Sequence, residues 1–311
     1  MMTSSAFIDR VSTTLGIQRR DMIEKDILLH SILLDLSRDK FFFKNFVIKG
    51  GTCLIKYYQG YFRFSEDIDF TWKNQDRFKR KTAKAIRRDL STIIDETGRI
   101  FEAIAAKRGL DFKCKKNNTR YIELGGSSKT CTFKIWYDSE TLKKNTFIKV
   151  QINFVEEMCQ KPRKGQLKSL LTASKNEELA VLFPEHYSEY SITIPFFIYN
   201  IGDLLSEKIR AVLTREGVKA RDFLDIFFIS KDLSIKPSDV EKCVIAKMNY
   251  ALKLYQKYRT NLKEKVKLLK QKNIFEWGTE RELLLITLDE KDFYSFINEV
   301  ADYLDTLIKK F

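Results

Sequence analysis

Residues 49–72 read Lys49-Gly50-Gly51-Thr52, an aromatic-rich turn, then Arg63-Phe64-Ser65-Glu66-Asp67-Ile68-Asp69-Phe70-Thr71-Trp72. Phe46, Val47 and Ile48 form a short apolar run that stops at the two glycines, as a buried strand would. Paired glycines let a backbone approach a ligand closely and turn its N–H groups outward. A helix is expected from Thr52, with Leu54, Ile55 and Tyr58 as its apolar stripe, and a helix N-terminus favours phosphate. The run from Asp67 to Trp72 alternates like a strand. Asp67 and Asp69 then share one face while Ile68 and Phe70 turn to the core. Two carboxylates side by side repel each other, and a dication between them resolves the conflict. A phosphate cradle followed by a carboxylate pair is what metal-dependent phosphoryl or nucleotidyl transfer requires.

Working outward, residues 1–20 are polar and expected at the periphery. Met22, Ile23, Ile27, Leu28, Ile32, Leu33 and Leu36 follow helical spacing over 20–37, and Glu24-Lys25-Asp26 reads as a solvated face of that helix. Phe41, Phe42 and Phe43 are expected to pack between this helix and the first strand. A basic helix or helix pair follows over 75–107, then strands over 119–124, 129–137 and 146–154. Gly125-Gly126-Ser127-Ser128 reads as a hairpin turn. Lys161-Pro162-Arg163-Lys164-Gly165 reads as a basic interdomain turn, Ile192 to Phe197 is strand-like, and the chain is almost wholly helical from Ile201. The expectation is an α+β fold, a mixed sheet with helices over residues 1–165, followed by a mainly helical domain over 166–311 that completes the active site.

A second constellation lies downstream: Glu207-Lys208-Ile209-Arg210-Ala211, Arg215, and Lys219-Ala220-Arg221-Asp222-Phe223-Leu224-Asp225. Gly217 breaks the first helix and a second begins near Lys219. Asp222 and Asp225 are three apart and share a face, so Lys208 can pair with one of them across the turn. Taken alone, a structural Lys–Asp or Arg–Asp pair between antiparallel helices accounts for this stretch.

The two motifs together resemble the AbiEii/AbiGii (MenT-like) family of toxin nucleotidyltransferases, within the polymerase-β-like superfamily. The carrying residues are Lys49-Gly50-Gly51-Thr52 before Arg63-x-Ser65-x-Asp67-x-Asp69, with Glu24-Lys25-Asp26 upstream and the Lys208 to Asp225 pattern downstream. The resemblance covers roughly residues 20–230. It implies catalytic roles for Asp67, Asp69, Lys208 and Asp222, with Asp225 the alternative to Asp222. Asp67 and Asp69 would hold Mg²⁺ or Mn²⁺. Gly50, Gly51, Thr52, Arg63 and Ser65 would bind the phosphates of a nucleoside triphosphate. Asp222 would orient Lys208 or activate the acceptor hydroxyl. The implied acceptor is RNA, with a tRNA 3′ end expected, in a cytoplasmic abortive-infection toxin paired with a separately encoded antitoxin. Nucleotidylation of a protein side chain and a non-catalytic nucleotide- or RNA-binding module are the rivals.

One departure stands out. Superfamily members commonly carry a third carboxylate on a strand like 146–154, where this chain has Gln151 or Asn153. Glu156 and Glu157 lie just beyond as substitutes. Either fewer carboxylate ligands serve the metal or one comes from elsewhere, which puts a full two-metal mechanism in doubt.

Composition agrees. The 311 residues carry 56 Lys+Arg against 42 Asp+Glu, a net charge of +14 that favours a polyanionic partner. Basic clusters over 75–107, 161–168 and 255–272 either are solvated faces or line a groove for nucleic-acid backbone. No apolar run is long enough to span a membrane. Five cysteines without close pairs suggest reduced thiols, and His30 and His186 alone offer little for imidazole chemistry.

Overall fold

The computed structural model describes residues 4–126, 128–172 and 176–311, so Ser127 of the expected hairpin turn lies outside the described residues. The chain divides into two compact units, Met1–Val155 with Pro162–Ile198, and Glu156–Lys161 with Tyr199–Phe311.

The first unit opens with helices α1 (Ser5–Leu15), α2 (Arg20–Arg38) and α3 (Lys40–Asn45). Strand β1 (Phe46–Lys49) leads into a single turn α4 (Gly50–Cys53), which widens into a π-turn over Leu54–Gln59. Then come β2 (Asp67–Trp72), α5 (Ala83–Arg108), β3 (Ile122–Gly125), β4 (Thr130–Ser139), β5 (Lys144–Asn153) and β6 (Arg163–Leu167). Helices α6 (Glu177–Leu182) and α7 (Pro184–Ser191) precede β7 (Ile194–Ile198). The sheet order is β3-β4-β5-β2-β1-β7-β6. β2 runs antiparallel to β1 and parallel to β5, and β7 is parallel to β1, so the sheet is mixed, as the fold class required.

Burial alternates along β4 and β5, the signature of a sheet with one packed and one half-open face. The packed face is aromatic: Phe42 stacks on Phe46 at 4.3 Å, Phe46 meets Trp72 at 5.2 Å, and Phe101 meets Phe133 at 4.8 Å. Ile68 and Phe70 are fully buried there. Their burial forces Asp67 and Asp69 to the other face.

Three local expectations are corrected. Residues 5–15 form a helix whose Phe7, Ile8 and Val11 are fully buried, with Phe7 5.5 Å from the Phe183 ring. Glu24 and Asp26 are buried rather than solvated. Glu24 accepts from Ser139 and from the Glu140 amide at 2.6 and 2.7 Å, whereas Asp26 binds Lys56 at 2.9 Å and the hydroxyls of Tyr61 and Tyr190 at 2.8 and 2.6 Å. The basic stretch at 161–165 enters β6, an edge strand antiparallel to β7. Exposed Arg163 and Lys164 on that edge disfavour pairing with another chain. Because β7 pairs with β1, residues 166–198 fall in the first unit rather than in the helical one.

The second unit holds α8 (Ile201–Thr214), α9 (Ala220–Leu233), α10 (Glu241–Leu254), α11 (Gln256–Lys270) and α12 (Glu290–Ile308). A disulfide joins Cys159 to Cys243, with Cα atoms 5.9 Å apart, correcting the expectation of five reduced thiols. The partners are 84 residues apart and meet only when α10 folds against the 156–161 segment.

Candidate functional site

In the first unit the site grows from the end of β1. Gly50 has φ +69°, a left-handed conformation in which a side chain is strained. A Cβ there would lie 2.2 Å from Asp69 Oδ2. A Cβ on Gly51 would lie 2.7 Å from Arg63 Nη2 and 3.2 Å from Ser65 Oγ. The turn therefore lies flush against Asp69 at one residue and against Arg63 and Ser65 at the next.

Thr52 and Arg63 are buried beneath the turn. The Thr52 hydroxyl donates to the Asp67 carbonyl and lies 2.9 Å from Ser65 Oγ. Arg63 donates to the Phe64 carbonyl at 2.6 Å. Both are engaged by the protein itself. Together they clamp the 63–67 segment to the glycine turn, so the structure brings Gly50, Gly51, Thr52, Arg63, Ser65, Asp67 and Asp69 into one small region.

Registers define the flanks. Lys49 of β1 sits opposite Asp69, and on the other side β5 places Lys149 opposite Asp67 and Gln151 opposite Asp69. Gln151, not Asn153, is the neighbour of the aspartates; Asn153 pairs with Thr71. Lys149 Nζ lies 3.7 Å from Asp67 Oδ2. Glu156 and Glu157 belong to the second unit, where the Glu157 carbonyl accepts from Lys247.

The donor chemistry suits a hard dication. Asp67 and Asp69 share a face on adjacent pleats, half exposed, and carboxylate oxygens are the ligands Mg²⁺ and Mn²⁺ prefer, with water and phosphate oxygens completing the shell. A second cluster, Cys159, Asp203 and Cys243, has ligand atoms within 4.8 Å of one another. It does not read as a metal centre, because the two sulfurs are bonded to each other. Asp203 is also taken up by the Cys159 and Gln160 amides at 2.9 and 2.8 Å and by Lys247 at 2.8 Å.

In the second unit α8 presents Lys208 to α9. Lys208 Nζ lies 3.2 Å from Asp222 Oδ1 and 2.6 Å from Asp225 Oδ2, and Arg215 also bonds Asp222. Both carboxylates are buried. Burial pushes the Asp222 carboxyl up, but Lys208, Arg215 and Arg221 outweigh it and hold it below the usual carboxylate range. Asp222 is therefore a committed anion whose two oxygens are both occupied. The sequence leaves a Lys–Asp or an Arg–Asp pair open, and the structure holds both, Lys208 and Arg215 each bonding Asp222.

A glycine turn at the end of one strand, seated against paired aspartates on the next in a mixed sheet, is the framework of a nucleotidyltransferase. The family model described as "Nucleotidyl transferase AbiEii toxin, Type IV TA system" matches residues 32–304, and the chain belongs to that family. It is a nucleotidyltransferase toxin of a type IV toxin–antitoxin system. Among solved structures the chain is similar to MenT4, a nucleotidyltransferase toxin from Mycobacterium tuberculosis H37Rv, with 14% identity and a TM-score of 0.58, covering 99% of this chain and 90% of that one. JHP933 from Helicobacter pylori matches with 16% identity and a TM-score of 0.44, covering 93% and 94%. No curated protein gives a match. The likeness to MenT4 is one of fold. No helix among the described residues is long and apolar enough to cross a membrane.

Proposed function

We propose that this protein transfers a nucleotide from a nucleoside triphosphate to an RNA 3′ hydroxyl, with a tRNA 3′ end as acceptor and Mg²⁺ or Mn²⁺ as cofactor, in the cytoplasm where both substrates occur. The supporting observation is the seating of Gly50 and Gly51 against Asp69, Arg63 and Ser65. In the reaction the acceptor hydroxyl gives up its proton to solvent, its oxygen bonds to the α-phosphorus, the α–β bond breaks, and pyrophosphate departs.

Asp67 and Asp69 would hold the dication. Once bound, it neutralises triphosphate charge and the charge developing at the transferred phosphorus. The Gly50 and Gly51 amides and the Ser65 hydroxyl are assigned to the β- and γ-phosphates. Arg63 and Thr52 shape that turn from beneath. Gln151 and Lys149 occupy the flank where a further acid would bind a second dication, which favours a single-metal site. Lys208 is assigned to phosphate charge. The committed state of Asp222 favours a positioning role, with Asp222 and Asp225 fixing the Lys208 ammonium rather than taking a proton. Membership of a type IV family implies an antitoxin partner.

The test is incubation with each α-labelled nucleoside triphosphate, Mg²⁺, and total cellular RNA or protein. Label on RNA, lost in Asp69→Asn, supports the proposal. Label confined to protein replaces the acceptor, and bound triphosphate with no label anywhere rejects the transfer.

A further inference from the structure

We infer that the half-open face of β4 and β5 beside the paired aspartates is a stacking platform for the unpaired nucleotides next to the RNA acceptor end, which rests on the RNA-acceptor reading above. The register lays this face out in rows. Asp69 is followed across the sheet by Gln151 and Thr132, and Asp67 by Lys149 and Lys134. One pleat further along, Phe147 pairs with Trp136. Neighbouring strands lie about 4.8 Å apart and successive same-face residues about 6.7 Å, so this aromatic row adjoins the carboxylates on one continuous surface.

The chemistry of that row is specific. The Phe147 and Trp136 ring centroids lie 4.8 Å apart, with the planes tilted by 51°. The Arg120 guanidinium lies 4.2 Å from the Trp136 centroid, and Lys134 Nζ lies 5.6 Å from that of Phe147. The Trp136 indole N–H donates to the Arg120 carbonyl at 2.8 Å, which fixes the ring. A cross-strand aromatic pair of this kind would by itself stabilise the hairpin. Two features go beyond that role: the cations are interleaved with the rings, and the row is continuous with the carboxylate pair. Rings and a guanidinium plane offer stacking to any base, and the ammonium groups meet backbone phosphate. Arg120 is paired in this structure with Asp111, both of them more than 40% exposed, and the less exposed Lys134 is paired with Glu123, which is 50% exposed. Surface pairs of that kind contribute little and exchange readily for phosphate. Only unstacked bases can lie on such a row, so the partner is single-stranded RNA rather than a duplex.

The experiment measures binding without catalysis: fluorescence anisotropy of a fluorescein-labelled 12-nucleotide single-stranded RNA, with no nucleoside triphosphate, across a salt series. Trp136→Leu and Phe147→Leu keep apolar cover on the hairpin, and each is expected to weaken binding by about tenfold. Lys134→Gln is expected to lower the salt slope by about 0.7. Arg120→Gln, at a surface position, serves if the aromatic variants unfold. The inference is overturned if the wild type does not bind this RNA, or if folded variants bind within twofold of it. Label transfer separates the two ideas. RNA labelled by the wild type together with unchanged binding in the variants removes the platform and leaves the transferase. Weakened variant binding with label only on protein keeps the platform and removes the acceptor.

Discussion

Replacing Gly50 by alanine isolates the central contact of the site. The new Cβ would lie 2.2 Å from Asp69 Oδ2, whereas ordinary contact begins near 3.4 Å, so the carboxylate must retreat by about 1.2 Å. The backbone at φ +69° adds roughly 1–2 kcal/mol for a residue with a Cβ. For a chain of this size that strain corresponds to a fall in Tm of only a few degrees, so the protein stays folded. Catalysis should suffer far more, because a misplacement of about 1 Å in a reacting constellation costs on the order of a hundredfold. The assay is kcat/KM for α-label transfer to RNA, with a Mg²⁺ titration and a thermal melt on the same preparation. The expected result is a loss of about a hundredfold, a weakened Mg²⁺ dependence and a near-normal melt. Transfer within threefold of the wild type with unchanged Mg²⁺ dependence would refute the placement of Asp69 as a metal ligand beside the glycine turn.

Other consequences are independent of that contact. Lys208→Met leaves Asp222 and Asp225 buried without their shared cation, and urea unfolding should show a loss of about 3–5 kcal/mol. Asp222 is held below its ordinary value of 3.8, so its contribution to stability is complete above that pH and is lost as pH falls below it. Asp222→Asn should remove that part of the acid-unfolding slope. His30 behaves alike for a different reason. Burial pushes it from 6.5 down to about 3, so the neutral ring stabilises the fold above pH 6.5 and that stability drains away as pH falls toward 3. His30→Gln should lessen the pH dependence across that window in denaturant titrations. Reducing the Cys159–Cys243 bond, which closes a loop of 84 residues, should cost about 4 kcal/mol, read as a lower Tm in dithiothreitol and reproduced by Cys159→Ser.

The parts of the site that were legible in the sequence were those built from short-range spacing. Gly50-Gly51, the period-two placement of Asp67 and Asp69, and the three-residue spacing of Asp222 and Asp225 each fix geometry within one or two turns of chain. The absence of an acid at Gln151 was equally readable, because a strand face follows from alternation, and the register then placed that residue beside Asp69. What stayed hidden depends on partners far along the chain. Asp26 reads as solvated from the sequence because its cation, Lys56, is thirty residues away, in the helical segment after Thr52, and no spacing rule links the two. α1 has no clear sequence signal because Phe7, Ile8 and Val11 are few among polar neighbours, and the rings that Phe7 meets, Phe183, His186 and Tyr190, lie far along the chain. β6, which opens on Arg163 and Lys164, reads as a linker because an edge strand is protected by the same charges that mark a loop. The row formed by Trp136 and Phe147 needed the register of β4 on β5 before the two rings could be placed together.

The most direct measurement is a crystal structure with Mn²⁺ and a non-hydrolysable nucleoside triphosphate, with the metal located by anomalous scattering. The account predicts one peak, about 2.1 Å from a carboxylate oxygen of both Asp67 and Asp69, with the triphosphate along Gly50 and Gly51. A metal and triphosphate bound away from these aspartates would contradict it.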